Sequence, residues 1–252
     1  MTRQELTRAI IHTAYLNQDG HIASALSILD SLLCLYDHIL TDEDMFVLSK
    51  GHGCLGLYAT FLHKRMITEE EFYSFCQFNS KLGGHPSSRK IPDIVFSAGS
   101  LGHGLPFAAG VALGHKIHGV SGQVYCLIGD GEANEGTTWE SALIASTYKL
   151  DNLVCLMDCN GSGERAIKLN PCVGKFYEFG WDAVEVDGHN TNSMVSTLTL
   201  PHDNPLFVQL NTIKGKGCPA MENNPEWHHK WPTTVEQYEK IILSIPDEPV
   251  HT

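Results

Sequence analysis

At 252 residues, with 42% hydrophobic side chains and a formal charge of −12, the chain can bury a sizeable core and is too acidic to favour nucleic acid or an anionic membrane as its main partner. Its eight cysteines, at 34, 54, 76, 126, 155, 159, 172 and 218, form no Cys-x-x-Cys pair, a pattern that fits reduced thiols in a cytoplasmic protein. With no linker, repeat, signal core or long uninterrupted apolar run, the expectation is one domain over residues 1–252 and no membrane span.

Leu6, Ile10 and Ala14, then Leu26, Leu29, Leu33 and Tyr36, recur at helical spacing. That predicts two helices broken at Asn17-Gln18-Asp19-Gly20, with Ser24 as the cap of the second. His21 stands in the break, and an imidazole that titrates near neutral pH suits proton transfer. Phe46 to Gly51 reads as a short strand entering a turn and Gly53 to Lys64 as a helix, with His52 between two glycines at the junction. Thr68 and Glu71 form a capping box that opens a helix from Thr68 to about Phe75.

Gly83-Gly84-His85-Pro86 and a turn-rich passage follow. Next, Ser97-Ala98-Gly99-Ser100-Leu101-Gly102-His103-Gly104-Leu105 leads into a helix from about Pro106 to His118. Glycine-rich backbone at a helix start lets an anion or a flat ring approach exposed N–H groups.

The apolar run Val124 to Ile128 is too short for a helix and stops at Gly129-Asp130-Gly131; a second run, Leu153 to Met157, stops at Asp158-Cys159-Asn160. A strand, a helix and a parallel strand place Asp130 and Asn160 on the same edge of a sheet, where open α/β sheets bind ligands. One anionic and one amide oxygen suit Mg²⁺ or Ca²⁺ rather than zinc. The rest of the coordination shell falls to a backbone carbonyl, water and the oxygens of a bound diphosphate, which the flanking glycines allow to come close.

Beyond Asn160, Phe179-Gly180-Trp181 introduces a strand, Ala183 to Asp187, then a weakly amphipathic helix and the strand Leu206 to Leu210. Thr212 to Gly217, with two cations and few packing residues, reads as a solvated loop, and Thr233 to Leu243 as a closing helix. Strands alternating with helices give an α/β, three-layer domain with a mainly parallel sheet.

Several of these stretches, in this order, resemble the transketolase family. They are Gly20-His21 with Ile22-Ala23-Ser24-Ala25-Leu26-Ser27, Ser49-Lys50-Gly51-His52-Gly53, Gly84-His85-Pro86 and Gly99-Ser100-Leu101-Gly102. The Gly129-Asp130-Gly131 to Asn160 stretch, with Glu132, Glu135-Gly136, Trp139-Glu140 and Asp158, resembles the family's thiamine-diphosphate signature, and Lys214-Gly215-Lys216-Gly217 through Trp227-His228 completes the set. Two departures stand out: His103 occupies a position where family members commonly carry Gln, and the segment between Asn160 and Asn170-Pro171 is shorter than usual.

The resemblance implies the thiamine-diphosphate-binding fold of PP type. It implies that Asp130, Asn160 and the backbone carbonyl of Ser162 hold Mg²⁺, with Ca²⁺ as a substitute, and that His52, Gly99, Leu101, Gly131, Asn160 and His228 hold thiamine diphosphate. His21, His85 and His228 would serve catalysis at the reacting carbons, His228 being preferred to His229, and Glu135 and Glu140 would face a partner. The resemblance reaches only the first half of a full transketolase, so it implies a split enzyme. A separate pyrimidine-binding and C-terminal subunit would pair with this one, two copies of each, to move a two-carbon ketol unit from a ketose to an aldose, with sugar phosphates as substrates. Two other readings stay open: a ketol or acyl transfer like that of deoxyxylulose-phosphate synthase, and a non-catalytic binding subunit.

Overall fold

The computed structural model describes residues 1–246; residues 247–252 of the expected domain lie outside the described residues. Helix α1 (Arg3–Asn17) opens on a capping box between Thr2 and Glu5 and breaks where Gln18 turns left-handed. Helix α2 (Ile22–Cys34) begins earlier than Ser24 would allow as a cap. The His21 carbonyl accepts from Ser24 N and Ala25 N, so Ser24 lies inside the helix and His21 occupies the cap position without a side-chain bond.

Strand β1 (Met45–Leu48) is followed by α3 (Cys54–His63) and the short α4 (Glu69–Tyr73), the latter on the expected Thr68–Glu71 capping box. Then come α5 (Gly104–His118), β2 (Val124–Gly129), α6 (Gly136–Thr147) and β3 (Leu153–Cys159). The chain continues through α7 (Val173–Glu178), β4 (Asp182–Asp187), α8 (Thr191–Leu198), β5 (Leu206–Asn211) and α9 (Val235–Ser244). Helix α7 is the element that periodicity did not foretell. It is six residues long and buries one side chain, Phe176, too little for a repeat to register.

All strand pairs are parallel and the order is β1-β2-β3-β5-β4. Alternation along the strands assigns each side chain to one of two apolar layers. Tyr125, Leu127, Val154, Leu156, Val208 and Leu210 pack with α1, α2, α3 and α8 on one face. Val124, Cys126, Ile128, Leu153, Cys155, Met157 and Phe207 pack with α5, α6 and α7 on the other. The sheet is buried on both faces, which is why its strands read as continuous apolar runs.

Helix α2 continues into a π-turn, Leu35–Ile39, and the combined Ile22–Ile39 segment is long and apolar enough to cross a membrane by length and composition. Here 67% of it is buried inside the protein, against α1, α3 and α8, as befits the central helix of a core.

Candidate active site

Strands β2 and β3 are neighbours with Gly129 opposite Asp158, so Asp130 and Asn160 leave the sheet at the same edge, as the sequence implied. Asp130 is only 7% exposed, and its Oδ2 is buried with no hydrogen-bond partner among the described residues. Burial pushes its pKa upward, and the nearby Asp158 adds to the push; the N–H groups of Gly163 and Gly131 and the Lys50 ammonium oppose it. A buried carboxylate oxygen lacking a donor is costly unless a cation meets it. This is the observation on which a divalent metal fits the site.

Asn160 donates from Nδ2 to Asp158 Oδ2 at 2.9 Å and to Ser27 Oγ at 3.2 Å, while its Oδ1 accepts from Ser162 N at 3.0 Å. The loop beyond it closes back on Asp130 at Gly163. A β-carbon there would fall 2.7 Å from the Asp130 carbonyl carbon and 2.8 Å from its oxygen, so only glycine permits the approach that brings Ser162 to the strand edge. Among the described residues no cluster of three or more His, Cys, Asp or Glu side chains could hold a metal. With a single carboxylate, the set fits Mg²⁺ only when a ligand's phosphate oxygens complete the shell.

Beneath this edge lies a fully buried carboxylate, Asp158, paired with the Lys50 ammonium and bonded to the Thr212 hydroxyl. Lys50 Nζ also donates to Ser27 Oγ at 3.1 Å and to the Ser24 carbonyl at 3.3 Å. A buried ion pair with its remaining hydrogen bonds satisfied holds the tips of β1, β3 and β5 in one arrangement. A second buried carboxylate, Glu132, accepts from Ser49 Oγ at 2.6 Å, Gly102 N at 3.0 Å and Gly129 N at 2.9 Å, tying the Gly-rich loop before α5 to the end of β2. Sequence reasoning assigned no task to Lys50 or Glu132. The signal for Lys50 was present: an aspartate at the end of an otherwise apolar strand must find a cation.

A cavity of about 160 Å³ opens above Asp130, with His52, Leu101, Gly131, Asn160, Ser162 and His228 in its wall. It adjoins a second, of about 390 Å³, which shares Asn160, Ser162 and His228 and adds Arg165 and Lys214. The passage Thr212 to Gly217 is therefore no solvated loop. Lys214 is 6% exposed, donates to Ser162 Oγ at 2.8 Å and stands 3.0 Å from His228 Nδ1. Burial and the Lys50 charge push its pKa down to about 8, and burial and Lys214 depress that of His228. Two cations, Lys214 and Arg165, face the larger cavity and, among the described residues, no carboxylate lines it, which suits a polyanion.

Four imidazoles from four separate segments meet at this mouth. The ring of His21 lies 4.6 Å from His52, 5.7 Å from His228 and 6.4 Å from His85, centroid to centroid, and His52 lies 5.3 Å from His85. Burial, then mutual repulsion, pushes His21 down to about 3 and His52 to about 4, so both rings are neutral near pH 7. His21 and His85 stand beside the cavity wall rather than in it, in ring contact with His52. Gly99 is likewise outside the wall and packs beneath His85. A β-carbon at Gly51 would meet His85 Cδ2 at 2.8 Å and Gly99 N at 3.2 Å, so the three segments close around a glycine. A β-carbon at Gly131 would meet nothing within 4 Å, leaving backbone free for a ligand. His103 is exposed at the α5 cap position and makes no side-chain cap bond.

Fold and site together define a parallel α/β protein with a basic pocket at the carboxyl edge of its sheet. Comparison with known proteins gives the family. Residues 16–232 match the family model described as "Transketolase, thiamine diphosphate binding domain". Among curated relatives, the chain is 36% identical over 245 residues to one of the subunits of the apulose-4-phosphate transketolase of Actinobacillus succinogenes, covering 91% of this chain and 88% of that one. It is 34% identical over 244 residues to human transketolase, covering 90% of this chain and 38% of that one. Among solved structures, the transketolase of Pichia stipitis superposes with a TM-score of 0.84 at 24% identity, covering 98% of this chain and 41% of that one. That of Campylobacter jejuni superposes with a TM-score of 0.80 at 24% identity, covering 99% and 44%. The chain belongs to the transketolase family, through its thiamine diphosphate binding domain, and it spans about two fifths of the solved transketolase chains it matches.

Proposed function

We propose that this chain is the thiamine-diphosphate- and Mg²⁺-binding component of a two-component transketolase, active when paired with a separate subunit that supplies the pyrimidine half of the site. The observation that carries the reading is the unpartnered Asp130 Oδ2 at the edge of β2, beside Asn160 and within one cavity system with Lys214, His52 and His228. Asp130, Asn160 and the Ser162 carbonyl would hold the metal; His52, Leu101, Gly131, Asn160 and His228 would hold the coenzyme, with Gly99 supporting that site from beneath His85 and Lys214 countering the diphosphate charge. When bound, thiamine diphosphate supplies the nucleophilic carbon that receives a two-carbon unit from a ketose. His21, His85 and His228 bond the sugar hydroxyls and move their protons; a neutral His21 ring accepts a hydroxyl proton without first shedding one of its own.

Relatives that are named as single subunits of a transketolase support a separate partner, as does an apolar face on two packed helices. Phe107 and Ile117 on α5, Leu143 and Ile144 on α6 and Tyr148 just past its end are all exposed, and Gly110 and Gly114 leave open space on α5 for another backbone. A contiguous exposed apolar face is where a stable partner binds. We take the assembly as two copies of each component, working in the cytoplasm on sugar phosphates. The test is calorimetry of thiamine diphosphate with Mg²⁺ on the assembled complex, followed by a ketol-transfer assay. Wild type takes up the coenzyme and transfers a two-carbon unit, Asp130→Ala takes up neither metal nor coenzyme, and vigorous transfer by this chain alone refutes the two-component reading.

A further inference from the structure

His229 takes no part in either cavity wall, yet it is fastened to the turn that carries His21. Its ring stacks on that of His21, with centroids 4.2 Å apart and planes 15° from parallel. Its Nε2 lies 3.2 Å from Asp19 Oδ1, and the same carboxylate oxygen accepts from Gly20 N at 2.7 Å. Asp19 belongs to the turn itself, so one carboxylate ties His229 to it. The tie is reinforced on both sides: the backbones of His21 and Lys230 form a parallel bridge, Trp231 Nε1 donates to Gln18 Oε1 at 3.1 Å, and Gln18 Nε2 donates to the Pro232 carbonyl at 3.0 Å. Trp231 also meets the His229 ring edge-on at 5.1 Å.

We infer that His229 is a positioning residue for the proton-handling pair: held by Asp19 against His21, it sets the spacing between the turn that carries His21 and the segment that carries His228. This rests on the reading of His21 and His228 given under Proposed function. Asp19, His21, His52 and His228 face His229 electrostatically, and Lys230 follows it in the chain. Of these only Asp19 is an acid. Burial pushes the Asp19 carboxyl up, but the bonds from His229, Cys76 and Gly20 outweigh it and hold the group below its ordinary value. The His229 ring is thus tied to Asp19, and its repulsion is among the causes that lower the pKa of the stacked His21 ring. His229 both braces His21 and helps keep it neutral.

Two variants separate the brace from the charge. His229→Ala removes both; His229→Phe keeps a flat ring against His21 and loses the charge and the Asp19 bond. On the complex assembled with its partner, Mg²⁺ and thiamine diphosphate, H229A is expected to lower kcat about tenfold, since a small misplacement of a reacting group is costly, with coenzyme affinity within about twofold of wild type. H229F should recover most of that loss. In both variants the acid limb of the pH profile should move to higher pH, because a charge that opposed protonation of His21 is gone. Histidine-selective ¹³C labelling of the full chain reads the same quantity without turnover: the His21 titration midpoint rises in H229A and in H229F. A midpoint unchanged in both variants, or a kcat unchanged in H229A, overturns the inference. Should the wild-type complex bind coenzyme and transfer no ketol unit, the functional reading fails, and the His21 midpoint alone then decides this one.

Discussion

Asn160 Nδ2 donates to Asp158 Oδ2 across 2.9 Å, and the same carboxylate oxygen is the one paired with Lys50. The amide is thereby oriented by a charge that never reaches the cavity: with Nδ2 committed to Asp158 and Ser27, its oxygen is left to accept from Ser162 N and, in the function proposed above, to meet the metal. Removing one partner of the buried pair strands the other. Asp158→Leu alone, or Lys50→Met alone, is expected to cost roughly 3–5 kcal/mol in urea unfolding, while the Lys50→Met, Asp158→Leu double variant costs clearly less than the sum. Additive losses would show that the two charges do not stabilise one another.

Asp130 carries a cost of its own. Its folded-state pKa is raised, so the ionised carboxylate is disfavoured by folding; that penalty is fully present above the raised pKa and vanishes below the ordinary aspartate range. Asp130→Asn should therefore stabilise the metal-free chain by about 1 kcal/mol at pH 7, with a gain that shrinks on acidification, while abolishing Mg²⁺-dependent uptake of thiamine diphosphate. Thermal unfolding at pH 4 and pH 7, with and without both ligands, checks both halves.

Lys214 obeys the opposite sign. Its pKa is depressed to about 8, so the folded chain pays for the charged ammonium below that pH and is relieved of the cost as pH rises towards 10.5. A diphosphate arriving beside it restores the proton. At pH 8, calorimetry of Mg²⁺-pyrophosphate in two buffers of contrasting ionisation enthalpy should register net proton uptake, and Lys214→Met should abolish most of it. Equal heats in both buffers would place the anion elsewhere.

Leu143 and Ile144, each about half exposed on α6, test the partner surface. Leu143→Glu combined with Ile144→Lys should change the stability of the isolated chain by less than about 0.5 kcal/mol, because neither side chain is buried in it. The same pair should weaken association with the partner at least tenfold in sedimentation velocity, a central apolar contact being worth upwards of about 1.4 kcal/mol. Unaltered assembly would move the interface off α5 and α6.

The parallel β2–α6–β3 unit was legible because both strands are buried on two faces and end abruptly in Gly-Asp-Gly and Asp-Cys-Asn, a pattern that depends only on neighbours in the chain. Thr68 with Glu71 was legible for the same reason, since a capping box spans three residues. Ser24 misled because a cap is chosen by where the backbone turns, and the backbone turn at His21 is bridged to Lys230, near the other end of the chain. Helix α7 was too short to show a period.

By itself the sequence determined the alternation of strands and helices, the edge to which Asp130 and Asn160 belong, and the kinds of atom they offer, because strand polarity and donor chemistry are local properties. Only the tertiary structure decided that Lys50 neutralises Asp158, that Lys214 is buried beside His228, and that His229 stacks on His21 under the hold of Asp19. Those pairings join residues 14 to 210 positions apart through packing that no short-range pattern encodes, and desolvation, which sets the charge on each group, exists only once the chain has closed around it.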